Sequence, residues 1–235
     1  GAVVKALRVS LIDRGAPTAA ITRNADAYRF YLQGRAINRI AESKAQFDSA
    51  AAYLRNAIRA DPTFAEAWAF LAIELANEVG SGYVRGDAVA EEMRHATAQA
   101  LILNPNLADA HFAAASSFLT LDGSWEAALP EYQKAYDLDP TDAGNAYALA
   151  GALYDLQGES ETVLGLFRKA IDLDPVNFLP YLAIGNYYYE TGKLAEAEAA
   201  VHKAIDLSPT GTGFHSMLGY ILLVRGRPDE ALAEF

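Results

Sequence analysis

The chain is 235 residues long, 52% hydrophobic, and carries 30 acidic against 19 basic side chains, for a net charge of −11. It has no cysteine, which excludes a disulfide framework, a thiolate zinc site and a cysteine nucleophile, though it does not fix the compartment. No apolar run reaches the ~18 residues of a membrane span, and the N-terminus lacks the charged, apolar and small-residue sections of a signal peptide.

The charge is unevenly spread. Residues 1–62 hold 10 Lys and Arg against 5 Asp and Glu, a net of +5, whereas 63–235 hold 9 against 25, a net of −16. A body so acidic repels nucleic acid and anionic membrane. Solvated helix faces that differ by chance give the same asymmetry.

In chain order, residues 2–12 read as a short amphipathic helix, with Val3, Leu7 and Leu11 on one stripe. The stretch RGAPTAA breaks it. Residues 1–23 are expected to be the tail of a preceding domain or a cap on the first helix pair. The start at Gly1 and the end at Phe235, inside a helical pattern, suggest a piece of a longer protein.

From Asn24 onward the sequence reads as helix pairs, each stopped by a proline. The first pair has DAYRFYLQGR and then a helix with Ala50, Leu54 and Ala57 that ends at Pro62. Gly34 to Pro62 is 28 residues, against 24 from Gly185 to Pro209 later in the chain, so about four extra residues sit in the first turn. The second pair opens with Trp68 and Leu71 and ends at Pro105, 43 residues after Pro62. Its excess of about nine residues is assigned to a loop, GSGYVRGDA, at 80–88. The following intervals, to Pro140, Pro175 and Pro209, are 35, 35 and 34. In the fifth pair Tyr181, Ile184, Gly185 and Tyr188 recur at helical spacing before the turn at Gly192, and Ala197, Val201 and Ala204 recur after it. Gly185, Gly192 and Ala197 are answered by Gly219, Gly226 and Ala231, each 34 residues on. Small residues are needed where two helices cross, because bulk there holds the backbones apart.

This pattern of aromatic, Leu-Gly, Tyr, Ala, Ala and Pro resembles the tetratricopeptide repeat, a 34-residue helix–turn–helix unit. The resemblance implies an all-α fold, a right-handed superhelical solenoid of about five and a half repeats over 24–235, with at least eleven helices and no sheet. The sequence departs from the pattern at Ala72 and Ala115, which replace the glycine, and at Met93, which replaces an alanine. The run NADAYRFYLQGR with AIRADPTFAEAWAFLA is also similar to bacterial proteins in which such arrays follow a cyclase or winged-helix module.

Residues that carry chemistry are sparse. His95, His111, His202 and His215 form no close metal pair, and His111 and His215 fall where the family places Trp or Tyr, which reads as helix packing. GSGYVRG shares only its glycines with phosphate-binding loops and joins two helices, so it reads as an insertion. No nucleophile elbow or triad is assignable. Acidic pairs such as Glu91-Glu92 and Glu196/Glu198 read as solvated faces. No catalytic residue, metal or cofactor is expected.

In the family, the first helix of each pair lines a concave groove. Residue by residue, the resemblance puts there Tyr28, Tyr31, Arg35, Asn38, Phe112, Tyr147, Tyr154, Leu182, Asn186, Tyr189, Tyr220 and Leu223. Tyrosine suits peptide recognition, having large contact area, few torsions to freeze and a hydroxyl. Filling gaps between repeats is the competing role for each ring. The family's clamp for chaperone C-termini is broken, since Asn186 matches its Asn but Leu182 and Ser216 stand where basic residues belong. The expected function is a non-enzymatic scaffold that binds a protein or peptide, with no nucleic acid and no membrane span. A homo-oligomer through the C-terminal end is a second expectation, because Leu232 and Phe235 should stand exposed there. The alternative is the regulatory, ligand-sensing part of a bacterial signalling protein whose output module lies elsewhere. The expected compartment is the cytoplasm, with the periplasm as the alternative.

Overall fold

The structure is a computed structural model that describes residues 22–38, 41, 43–209 and 212–235. The helix expected at 2–12 lies outside the described residues, as do 39, 40 and 42 in the first turn. Among the described residues there are twelve α-helices and no strand. They pair as α1 (Ala25–Asn38) with α2 (Lys44–Ala60), α3 (Ala65–Gly80) with α4 (Gly86–Leu103), and α5 (Ala108–Ser117) with α6 (Trp125–Leu138). Then follow α7 (Ala143–Gln157) with α8 (Glu161–Leu173), α9 (Leu179–Glu190) with α10 (Leu194–Leu207), and α11 (Thr212–Val224) with α12 (Pro228–Glu234). None of them is long and apolar enough to cross a membrane.

Each helix packs against its partner, and each second helix packs against the first helix of the next pair. No pair can bury its apolar face alone, so the core runs along the array as successive clusters. The small residues occupy the crossings as expected: Ala50, Ala57, Ala197 and Ala204 are fully buried. A Cβ on Gly34 would lie 2.9 Å from Leu54 Cγ, and one on Gly185 would lie 2.7 Å from Val201 Cγ2. The turns at Gly192 and Gly226 use φ of +73° and +74°, a left-handed conformation that glycine adopts without Cβ strain.

Two of the Asp-Pro ends, at Pro62 and Pro140, are built by one device. Asp61 Oδ1 accepts from the Thr63 N–H at 3.0 Å, and Asp139 Oδ1 accepts from the Thr141 N–H at 3.0 Å, closing the turn from one repeat into the next. Six residues after Pro62 and Pro175 a ring reaches back to the proline carbonyl: Trp68 Nε1 donates to Pro62 O at 2.9 Å, and Tyr181 OH donates to Pro175 O at 3.3 Å. His111 Nε2 lies 3.0 Å from Pro105 O, and His215 hydrogen-bonds Pro209. These two histidines are therefore packing residues that tie neighbouring repeats together.

The loop expected at 80–88 is shorter than the sequence suggests. Gly80 ends α3 and Gly86 begins α4, so only five residues separate the helices, and the excess is taken up as helix, 16 residues in α3 and 18 in α4. Tyr83 leans on Phe47 of the first repeat, with ring centroids 5.5 Å apart. The third repeat holds one irregularity. After Ser117 the backbone makes a π-helical turn, Phe118–Asp122, closed by Gly123 at φ +63°.

Candidate functional site

The first helices of five of the six pairs, all but α3, carry the twelve residues assigned to the groove, and the structure divides them into two groups. In the first repeat Tyr31, Arg35 and Asn38 serve internal contacts. Tyr31 is only 4% exposed and fills the gap between repeats, its ring 4.9 Å from Phe64 and 6.0 Å from Phe70. Burial pushes its hydroxyl up to about 12, partly offset by Arg35, whose Nη1 donates to it at 3.0 Å. The Arg35 guanidinium also lies 4.9 Å from the Phe70 ring centre. Asn38 donates to the buried Glu74 carboxylate. Tyr28 is exposed beside Tyr31. In the third repeat Phe112 is half-buried, edge-on to Tyr132 at 5.4 Å.

In repeats four to six the face is open and polar groups converge on it. Tyr147 is half-buried against Phe167 at 5.9 Å, and burial raises its pKa. The Tyr154 hydroxyl donates to Glu190 and accepts from Asn186 Nδ2 at 3.1 Å, while Asn186 also donates to Glu190 Oε1 at 3.1 Å. Burial, then the Glu190 carboxylate, hold this tyrosine well above its usual range, and Asp155 is raised by the same two causes. Beside this network lies a hollow of about 320 Å³, lined by Asn186 and Tyr189 of α9 and by Gly213, Ser216, Met217 and Tyr220 of α11. Leu182 is half-buried and packs on the fifth-to-sixth-repeat cluster, and Leu223 is 45% exposed. The hollow gathers three assigned residues, Asn186, Tyr189 and Tyr220. Gly213 and Met217 were missed, and their place one and two turns along the same face of α11 is the signal that would have found them.

The tyrosines of α9 divide differently from their spacing. Tyr181 and Tyr188 share a helical stripe with the buried Ile184 and Gly185, but both are half-buried, and Tyr188 OH accepts from Arg168 Nη2 at 2.9 Å. Tyr187 is the buried ring, 5% exposed, packed with Val163, Leu164 and Phe167 of the fourth repeat.

A sequence model described as the tetratricopeptide repeat matches residues 94–143 and 182–235. Those two stretches are tetratricopeptide repeats. Solved structures of such proteins share the chain's fold. MamA is 24% identical, with 64% of this chain and 87% of that one covered and a TM-score of 0.55. TTC0263, a thermophilic tetratricopeptide protein of Thermus thermophilus, is 17% identical over 84% of this chain and 99% of that one, with a TM-score of 0.64. In the Cut9–Hcn1 hetero-tetramer of the APC/C a chain is 17% identical, with a TM-score of 0.71, and is matched over 99% of this array but only 42% of its own length. At these identities the likeness concerns fold. No curated protein matches the sequence.

Proposed function

We propose that the array is a non-enzymatic interaction scaffold whose first-helix face over repeats four to six binds a peptide segment of a partner protein. The observation that carries this reading is the hollow bounded by Asn186, Tyr189, Met217 and Tyr220. Its apolar walls suit one aliphatic or aromatic anchor side chain, and its rim lacks a basic residue. Glu190 and the raised Asp155 stand on the adjoining surface, so charge complementarity favours a peptide with a Lys or Arg beside the anchor. The Cut9–Hcn1 assembly supports a partner protein as the class of ligand.

The test is selection from a random dodecapeptide library displayed on phage, with the whole chain as bait. Enriched sequences should pair an apolar or aromatic residue with a basic one, and Tyr220→Ala bait should lose them. Enrichment of acidic sequences, or sequences that bind Tyr220→Ala equally well, would overturn the reading.

A further inference from the structure

A second hollow lies away from the first-helix face of repeats four to six. It measures about 270 Å³ and runs between α4 and the α5–π segment, with Glu131 of α6 at one end. Thr97, Ala98 and Leu101 of α4 face Ala114, Ser117 and Phe118 across it. With Arg94 on one side and Leu121 on the other, these make i, i+3, i+4 and i+7 stripes on α4 and on the α5–π segment, the pattern that normally closes a helix–helix seam. The seam stays open because its centre is small, with alanine on both sides and a buried hydroxyl pair on the floor, Thr97 Oγ1 to Ser117 Oγ at 2.8 Å.

The π turn sets the outer wall. A π turn holds one residue more than an α turn and re-aims the side chains that follow. Here it leaves Phe118 38% exposed and sets Asp122 at the mouth, where Arg94 Nη2 meets Asp122 Oδ1 at 3.1 Å. The extra residue does not by itself require this shape. The fourth repeat has the same 35-residue interval, yet α7 runs as unbroken α-helix from Ala143 to Gln157.

We propose that this seam is a binding site for a small amphiphilic amine. An apolar ring system fits between Ala98, Leu101, Ala114 and Phe118. At about 30 Å³ per displaced water the hollow has room for roughly nine waters, or one bicyclic ring with a short arm. The charged groups lining it are Asp122, Glu131 and Arg94, a net negative set. Each carboxylate has one oxygen engaged, Asp122 Oδ1 by Arg94 and Glu131 Oε2 by His111 Nδ1 at 2.6 Å. The other oxygen of each is the acceptor for the ligand's ammonium. An anionic headgroup meets the same carboxylates and is disfavoured.

Three probes of one shape and different charge test the site: tryptamine, the neutral indole-3-ethanol and anionic indole-3-propionate. Each is titrated into the whole chain and followed by amide chemical shifts. Tryptamine is expected to bind tightest, with shifts at 94–101 and 114–122. Its advantage over the alcohol should shrink about threefold in Asp122→Asn, the scale of one partly exposed ion pair. Ala98→Leu places a good helix former at an exposed position on the seam, so the fold and melting temperature should hold while tryptamine affinity falls at least tenfold. Tyr220→Ala, on the other hollow, should change nothing. Shifts confined to repeats five and six, affinity unmoved by Ala98→Leu, or propionate binding as well as tryptamine would each overturn the proposal.

Discussion

Glu74 is fully buried on α3, and its Oε1 has no hydrogen-bond partner among the described residues. Burial pushes its pKa up to about 7, Asn38 opposes the shift and Glu78 adds to it. A carboxyl raised in the folded state stabilises the fold fully below its unfolded value near 4.5, and that contribution is lost as pH rises through about 7. Urea unfolding should therefore show stability falling between pH 5 and 8 by on the order of 3 kcal/mol at most. Glu74→Gln should flatten that profile, and an unchanged slope would show that the carboxyl is not neutral in the fold. Two glycines give a second contrast at this scale. A Cβ on Gly185 meets the stiff Val201 side chain, so Gly185→Ala should destabilise by about 1–3 kcal/mol. Exposed Gly165 in α8 has nothing within 4 Å, so Gly165→Ala should stabilise by roughly 0.5–1 kcal/mol. Thermal melts of the two variants that moved in the same direction would contradict the crossing-point role.

At the scale of the element, the ring that reaches back to the previous proline should make the sixth repeat pH-sensitive. His215 is raised by its hydrogen bond to Glu234, then by that carboxylate's charge and the Pro209 carbonyl, with burial opposing. A raised histidine stabilises fully below its unfolded value near 6.5, and the effect is lost as pH rises through the folded value. Exchange protection factors over 214–224 should drop between pH 6 and 8. His215→Tyr, which reproduces the Tyr181 arrangement, should remove the drop, and a drop that persists would place its cause elsewhere.

Helix pairs were legible in the sequence because prolines and crossing-point glycines punctuate them at a fixed period. Three things were not legible. Gly80 and Gly86 read as breakers, but only Gly82 between them needs positive φ, at +74°, so the flanking residues joined the helices. Three consecutive tyrosines in α9 left the inner stripe to periodicity within one pair, and Tyr187 is buried by the preceding pair instead. The π turn left no trace, because Pro105–Pro140 and Pro140–Pro175 are equally long.

For the whole molecule, the array divides by how its first helices are used. Repeat one spends Tyr31, Arg35 and Asn38 on one another and on Phe64 and Glu74 of repeat two. Repeats four to six leave Tyr154, Asn186, Tyr189 and Tyr220 on an open, acidic face. The same residue types thus play two parts, which the sequence could not separate, since packing between repeats decides it. The binding role of that open face is the central claim. Its most direct test is calorimetric titration of a selected peptide into wild type, Tyr189→Ala, Tyr220→Ala and Tyr187→Ala, with a thermal melt of each. The expected result is a loss of about 1–3 kcal/mol of binding at Tyr189 and Tyr220 with little change in melting temperature, and a lowered melting temperature at Tyr187. If Tyr189→Ala and Tyr220→Ala unfold the array as Tyr187→Ala does, or bind the peptide as wild type does, the face is not the binding surface.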